Sequence, residues 1–271
     1  QLADLEKGLF QRSASAMEAL ADLYGIPSIH FGVDVARRVK DGLLIFKGEK
    51  PKEFDPAKMP QLFSTDAVHP LIETGHELYL QSIVRSWDPI KAASGKAAPH
   101  ALPAPLRADN WEAAKMVPLQ TGMLQGRWEK LDPSKNDRAK SFSNRMGYLW
   151  KAVEPGASLS FVFKGTYAGV YDLLGPDGGL LEVEVDGKLR KPPARIDGYC
   201  TYHRIATLAL GTLPDGEHRV KITLKPEAPD KAKILFEQNR PDLEKNPGKY
   251  KDNVWHASML MLLGDLTPQA R

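Results

Sequence analysis

The spacing of apolar and polar positions changes partway along the chain. Over residues 1–87 apolar positions return at helical spacing. Met17, Leu20, Ala21 and Tyr24 share one stripe, and Gly25 is placed to stop that helix. The run IPSIHF, 26–31, predicts a short buried strand with Pro27 among its first residues, where a missing N–H is tolerated. Residues 33–40 predict a second helix. Residues 42–63, punctuated by Lys, Pro and Gly, predict an irregular insertion. Residues 70–86 predict a third helix. Pro70 suits its first position, and Leu71, Gly75, Leu78 and Ser82 fall on one stripe flanked by Ile72, Tyr79 and Ile83.

From about residue 109 the period is two. Leu159, Phe161 and Phe163 alternate with Ser160 and Val162, and Leu181, Val183 and Val185 alternate with Glu182 and Glu184. Asp186-Gly187 predicts a hairpin turn. The stretch RIATLALGTLPDGEHRVKITLK predicts strand, Pro-Asp-Gly turn and strand, with Val220, Ile222 and Leu224 on one face. Residues 257–263 predict a last strand. Many short strands separated by turn signals imply a two-sheet sandwich of jelly-roll type. Between the halves, 88–108 is rich in Ala and Pro without periodicity and reads as a linker. The predicted organisation is therefore an α/β part over 1–87, a linker over 88–108 and an all-β sandwich over 109–271.

Composition narrows the function classes. Of 271 residues 42% are hydrophobic and 26% charged, an ordinary globular balance, and the net charge of +3 is too small to argue for a nucleic-acid partner. No apolar run approaches the roughly 20 residues that span a bilayer. The one cysteine, Cys200, excludes an internal disulfide and a Cys-rich zinc site. His69 and His76, seven apart, share a helix face and point only weakly to a metal, and His30 reads as a packed or strand-end histidine. No metal and no cofactor is expected. A start at Gln1 rather than Met fits a processed or cut chain.

The segment FSTDAVHPLIETGHELYLQSIV carries the candidate chemistry. Serine hydrolysis needs a base that takes the hydroxyl proton and a carboxylate that fixes the base's tautomer. Asp66 and His69 are near enough to meet across one tight turn, with Nδ1 of His69 on the carboxylate and Nε2 left for a nucleophile. From spacing alone the plainer reading is the stronger, Asp66 capping the helix at Pro70 with His69 on the surface, because a two-residue motif is common.

The run MEALADLYGIPSIHFG followed by FSTDAVHPLIETGHELYLQSI resembles the C-terminal end of SGNH (GDSL-type) hydrolases. The matching residues are Tyr24, Gly25, Ile26, Pro27, Asp66, His69, Pro70 and Gly75. The resemblance covers about 87 residues and implies His69 as general base and Asp66 as its orienting acid. The family's nucleophilic serine lies in an N-terminal Gly-Asp-Ser block, and its oxyanion-hole Gly and Asn lie in two later blocks. None of these occurs here, nor does a G-x-S-x-G elbow. The nucleophile is not found in this chain. The fold expected is thus a partial SGNH-type three-layer α/β fold whose N-terminal half, on the order of 100 residues, is absent. A missing N-terminal segment is an expected partner, and a broken sheet should expose apolar surface.

The second half resembles jelly-roll accessory domains flanking SGNH esterases that act on carbohydrates. The carrying residues are Gly165, Gly169, Asp186, Gly187, Gly216, His218, Val220 and Ile222. In RIDGYCTYHR, Tyr199, Tyr202 and His203 cluster with Arg195 and Arg204 and are candidates for ligand binding. The resemblances imply a serine ester hydrolase, a carbohydrate acetyl esterase, acting on an ester or acylated carbohydrate. The alternative is a non-catalytic carbohydrate-binding or structural module attached to a degenerate hydrolase remnant. A sugar-esterase role favours secretion or the periplasm by analogy.

Overall fold

The structure is a computed structural model, and it describes residues 2–96, 98–99 and 101–267. Gln1, positions 97 and 100 of the stretch read as a linker, and 268–271 lie outside the described residues. The chain divides into two compact units, Gln1–Asn110 and Trp111–Arg271.

The first unit is α/β. Helices α1 (Leu2–Glu6), α2 (Arg12–Tyr24) and α3 (Phe31–Lys40) precede strands β1 (Leu44–Lys47) and β2 (Gln61–Ser64), which pair in parallel. A π-type turn, Ile72–His76, leads into α4 (Glu77–Ala93). The small core is Val35, Leu44, Phe63 and Leu78, with Val39, Phe46 and Tyr79 packed against it. Asp34 is buried and ties α3 to α4: Ser82 Oγ donates to it at 2.6 Å, and Arg85 donates at 3.0 and 2.6 Å.

Several expectations change here. Residues 26–30 form no strand, because no neighbour pairs with them; Phe31 instead opens α3 and stacks on Tyr79 with ring centroids 4.6 Å apart. The segment 42–63 is not wholly irregular, since β1 and β2 stand at its ends. The third helix begins as a π-type turn in which the His76 N–H reaches the Leu71 carbonyl at 3.0 Å. It then runs to Ala93 through Pro89, six residues into the stretch read as a linker. On its predicted stripe Gly75, Leu78 and Ser82 are buried and Leu71 is half-buried.

The second unit is built on a nine-stranded sheet. Its strands are β3 (Lys115–Pro118), β4 (Leu124–Gln125), β5 (Trp128–Leu131), β6 (Leu149–Ala152), β7 (Ser158–Leu174), β8 (Leu181–Val185), β9 (Lys188–Leu189), β10 (Arg204–Leu224) and β11 (Trp255–Leu266). Helix α5 (Asp137–Phe142) lies between β5 and β6, and α6 (Lys231–Ile234) and α7 (Arg240–Lys245) lie between β10 and β11. The path runs β5-β6-β11-β7-β10-β8-β9, with β3 on β11 and β4 on β7. The fold class is α/β followed by a β-sandwich.

The stretch 204–224 is not a hairpin. It is one strand, β10, antiparallel to β7 throughout, and Pro214-Asp215-Gly216 falls at an irregularity in that pairing. Gly165 of β7 pairs with Gly216 of β10 on one side and with Gly264 of β11 on the other. A row of glycine thus crosses the three longest strands, and the register shifts beside it on both β10 and β11. A Cβ on Gly165 would stand 2.2 Å from the Leu263 carbonyl oxygen, and one on Gly264, whose φ is 143°, 2.2 Å from that of Lys164. No side chain fits there. The sheet bends along this row and closes over one core. Leu159, Phe161 and Phe163 from one part of β7 share that core with Ala168 and Val170 from the other. Asp186 and Gly187, with φ of 53° and 75°, make the tight β8–β9 hairpin as expected.

Candidate functional site

Asp66 and His69 sit on the loop between β2 and the π-type turn. Both ends of the loop are pinned. The Leu71 N–H donates to the Phe63 carbonyl at 2.8 Å, and Thr74 Oγ1 donates to the Leu62 carbonyl at 2.5 Å. Gly75 allows this closure: a Cβ there would lie 2.4 Å from Cβ of Pro70 and 3.1 Å from the Phe63 ring. Inside the loop Ala67 takes a φ of 66°, which turns the chain back on the Asp66 carboxylate.

That carboxylate is saturated with donors. Oδ1 accepts from the N–H of Val68 at 2.9 Å, the N–H of His69 at 2.8 Å and the hydroxyl of buried Ser64 at 3.0 Å. Oδ2 faces Nδ1 of His69 at 2.6 Å. The His69 bond, then the backbone N–H groups, hold the Asp66 carboxyl well below the usual carboxylate range. An ionised carboxylate only accepts, so Nδ1 of His69 carries the proton and Nε2 presents its lone pair. The imidazole is 82% exposed, and among the described residues no other hydrogen bond reaches its ring. The arrangement can take a proton from a hydroxyl brought to Nε2. A separate cavity of about 430 Å³ lies in the same unit, lined in part by Ile45, Phe54, Leu62, Leu71 and Thr74; neither Asp66 nor His69 lines it.

In the second unit, Tyr199 and Tyr202 are exposed, whereas His203 is not a free ring. The Arg204 guanidinium pairs with Asp197 and lies 5.5 Å from the Tyr199 ring centroid, and the edge of Phe236 meets that ring at 4.6 Å. His203 turns inward and donates from Nε2 to Asp177 Oδ1 at 2.7 Å. Arg138 Nη1 then donates to Asp177 Oδ2 at 2.8 Å and to His256 Nε2 at 2.7 Å. Burial pushes the Asp177 carboxyl up, but the His203 bond and the positive charge of its neighbours outweigh this and hold it low. Burial pushes the His256 imidazole down to about 3.

Asp177, His203 and His256 form the one group among the described residues able to hold a metal ion, with donor atoms within 4.8 Å of one another. Sequence reading singled out only His203. Asp177 and His256 are 79 positions apart and meet only through the pairing of β7 with β11, so no spacing announces them. Arg195, also grouped with the tyrosines, is buried instead. It pairs with Asp172 at 2.6 Å, and Trp255 Nε1 donates to the same carboxylate at 3.0 Å.

The chain shares its fold with two-domain esterases. A two-domain esterase active on acetylated mannans matches with a TM-score of 0.55 at 15% identity, over 94% of this chain and 59% of that one. A structure of such an esterase co-crystallized with mannopentaose gives 0.52 at 16% identity, over 93% and 58%. A family two carbohydrate esterase from Cellvibrio japonicus gives 0.34 at 17% identity, over 58% and 36%. This chain therefore spans about three fifths of the length of the two-domain esterases it resembles. No protein-family model and no curated protein matches it.

Proposed function

We propose that this chain is the C-terminal portion of a serine ester hydrolase of the SGNH type that deacetylates a carbohydrate. Residues 1–87 belong to its catalytic domain, and 109–271 form its jelly-roll accessory domain. The observation that carries the reading is the Asp66–His69 bond, 2.6 Å long with Nε2 turned to solvent. That bond fixes the ring with Nδ1 toward the carboxylate and leaves Nε2 open, the orientation a general base needs. In the reaction, His69 Nε2 takes the proton of a serine hydroxyl as its oxygen attacks the acetyl carbonyl. The imidazolium then returns that proton to the departing sugar oxygen. Water repeats the sequence on the acyl-enzyme, and Asp66 keeps the imidazole in one tautomer and stabilises it when charged.

The serine comes from polypeptide outside these 271 residues. Exposed apolar positions in the first unit support this. No residue of α2 is buried, and Met17, Leu20 and Tyr24 are open to solvent, as are Leu43 and Ile45 at β1. A parallel pair of strands ordinarily lies inside a covered sheet. The sugar substrate is argued from the likeness to esterases active on acetylated mannans.

The test is to express the chain together with the coding sequence upstream of Gln1. Acetate release from acetylated mannan and turnover of 4-nitrophenyl acetate are then measured, beside His69→Ala. Release that His69→Ala abolishes supports the reading. Binding of acetylated mannan without release makes the chain a non-catalytic carbohydrate-binding module instead.

A further inference from the structure

We propose that Asp177, His203 and His256 bind a divalent metal ion of the zinc class, in competition with the guanidinium of Arg138. The three ligands come from separate stretches of the second unit. Asp177 lies in the turn after β7, His203 immediately precedes β10, and His256 stands at the start of β11. Two imidazoles and one carboxylate are the donor set of a borderline ion with one position left for water. A calcium site is built instead from oxygen alone.

The site is built rather than incidental. The side chains of Asp177 and His256 are buried, and that of His203 is 18% exposed. His203 packs directly on the Gly175 backbone, where a Cβ would lie 2.2 Å from its ring. The two imidazoles meet edge to face at 5.7 Å. Arg138 marks where positive charge is favoured, because Nη1 bridges the carboxylate and the lone pair of a neutral imidazole. A divalent ion at that point repels the guanidinium and needs both of its acceptors. Arg138 is 29% exposed on the six-residue α5, so its side chain can leave for solvent. The nearby ammonium of Lys231 stays in place, since it donates to the carbonyls of Tyr250 and Asp252. Ligands about 2 Å from a zinc ion sit about 3.3 Å apart, a spacing the donors, all within 4.8 Å of one another, reach by side-chain rotation as Arg138 withdraws, the His203 proton passing from Nε2 to Nδ1 so that Nε2 can face the ion. The ion then ties β7, β10 and β11 together at one end of the sandwich.

The competition gives the test its direction. The whole chain is stripped with chelator and titrated with zinc chloride by calorimetry, and thermal unfolding is followed with and without zinc. Wild type is expected to bind one zinc per chain and to unfold at a higher temperature with it. Arg138→Ala is expected to bind about tenfold tighter, the scale on which groups contacting metal ligands act, and His203→Ala at least as much weaker. Cobalt substituted for zinc should give visible absorption of a nitrogen- and oxygen-ligated ion in wild type that His203→Ala removes. His203 is preferred to buried His256 because its side chain is partly exposed, and the unfolding trace verifies that its variant folds. The proposal is overturned if neither wild type nor Arg138→Ala binds zinc, if Arg138→Ala binds more weakly, or if His203→Ala binds as wild type does. None of these readouts depends on esterase activity.

Discussion

Nδ1 of His69 lies 2.6 Å from Oδ2 of Asp66, and the other oxygen of that carboxylate is occupied by two backbone N–H groups and the Ser64 hydroxyl. The carboxylate is therefore fixed by the loop, and the imidazole by the carboxylate. On the proposed function, His69→Ala should lower kcat of the longer protein by about 10²–10⁴, the range for a positioned general base. The exposed ring adds little packing, so the unfolding temperature should stay that of wild type. Because Asp66 is held below the usual carboxylate range, the pH profile of kcat/KM should show no limb from this carboxylate above about pH 4. Steady-state rates from pH 4 to 9 check both statements.

Asp34 should matter for stability far more than the arginine it binds. Its buried carboxylate takes bonds from Ser82, Arg85 and Arg37, whereas both arginine side chains are largely in water. Asp34→Asn is expected to destabilise the first unit by about 2–3 kcal/mol, the scale for hydrogen bonds to a charged group. Arg85→Ala should cost less, about 1 kcal/mol, because Ser82 and Arg37 still donate to the buried carboxylate. Urea unfolding of the two variants orders them, and equal losses would contradict the account.

The second unit should lose stability on the alkaline side through His218. Nδ1 faces Asp186 Oδ2 at 2.7 Å and Nε2 faces the Pro214 carbonyl at 2.8 Å, so both ring nitrogens meet acceptors and the imidazolium is favoured. The Asp186 bond is the larger cause of a pKa raised above the ordinary value, and Asp215 adds to it. A raised folded pKa stabilises fully below the unfolded value of about 6.5, and that stabilisation is lost as pH rises through the folded value. Asp186 is 43% exposed, so the effect is about 1 kcal/mol or less. The stability difference between wild type and His218→Gln should be largest near pH 6 and shrink toward pH 9. A difference that does not change with pH would refute the assignment.

Gly165→Ala should prevent the second unit from folding normally. The added methyl would meet the Leu263 carbonyl at 2.2 Å and the Gly264 Cα at 2.6 Å, and both neighbours are backbone. Gly216→Ala, on the same row but with open space at its Cβ, should fold. Soluble yield and near-ultraviolet circular dichroism separate the two variants.

The sequence announced what depends on neighbours in the chain and hid what depends on distant ones. Leu159, Phe161 and Phe163, and likewise Val220, Ile222 and Leu224, are buried as their alternation requires, because a strand with one buried face writes a period of two. Asp66 and His69 could be paired because three residues and one turn suffice. Strands β1 and β2 were missed because four residues cannot display a period and Lys and Pro surround them. Pro214-Asp215-Gly216 misled because residues that reverse a chain also suit an irregularity within a strand. His203 reads from the sequence as a ligand-binding candidate beside Tyr199 and Tyr202, yet its orientation is decided by Asp177 and His256, whose proximity only the tertiary fold creates.

The glycine row across β10, β7 and β11 has a mechanical consequence. All three strands run through the bend without interruption, so the two layers of the sandwich share three continuous backbones. One layer cannot slide over the other unless three chains stretch together at the same level. The layers are locked in register by covalent bonds as well as by packing, and a disturbance at either end of β7 is delivered along the backbone to both.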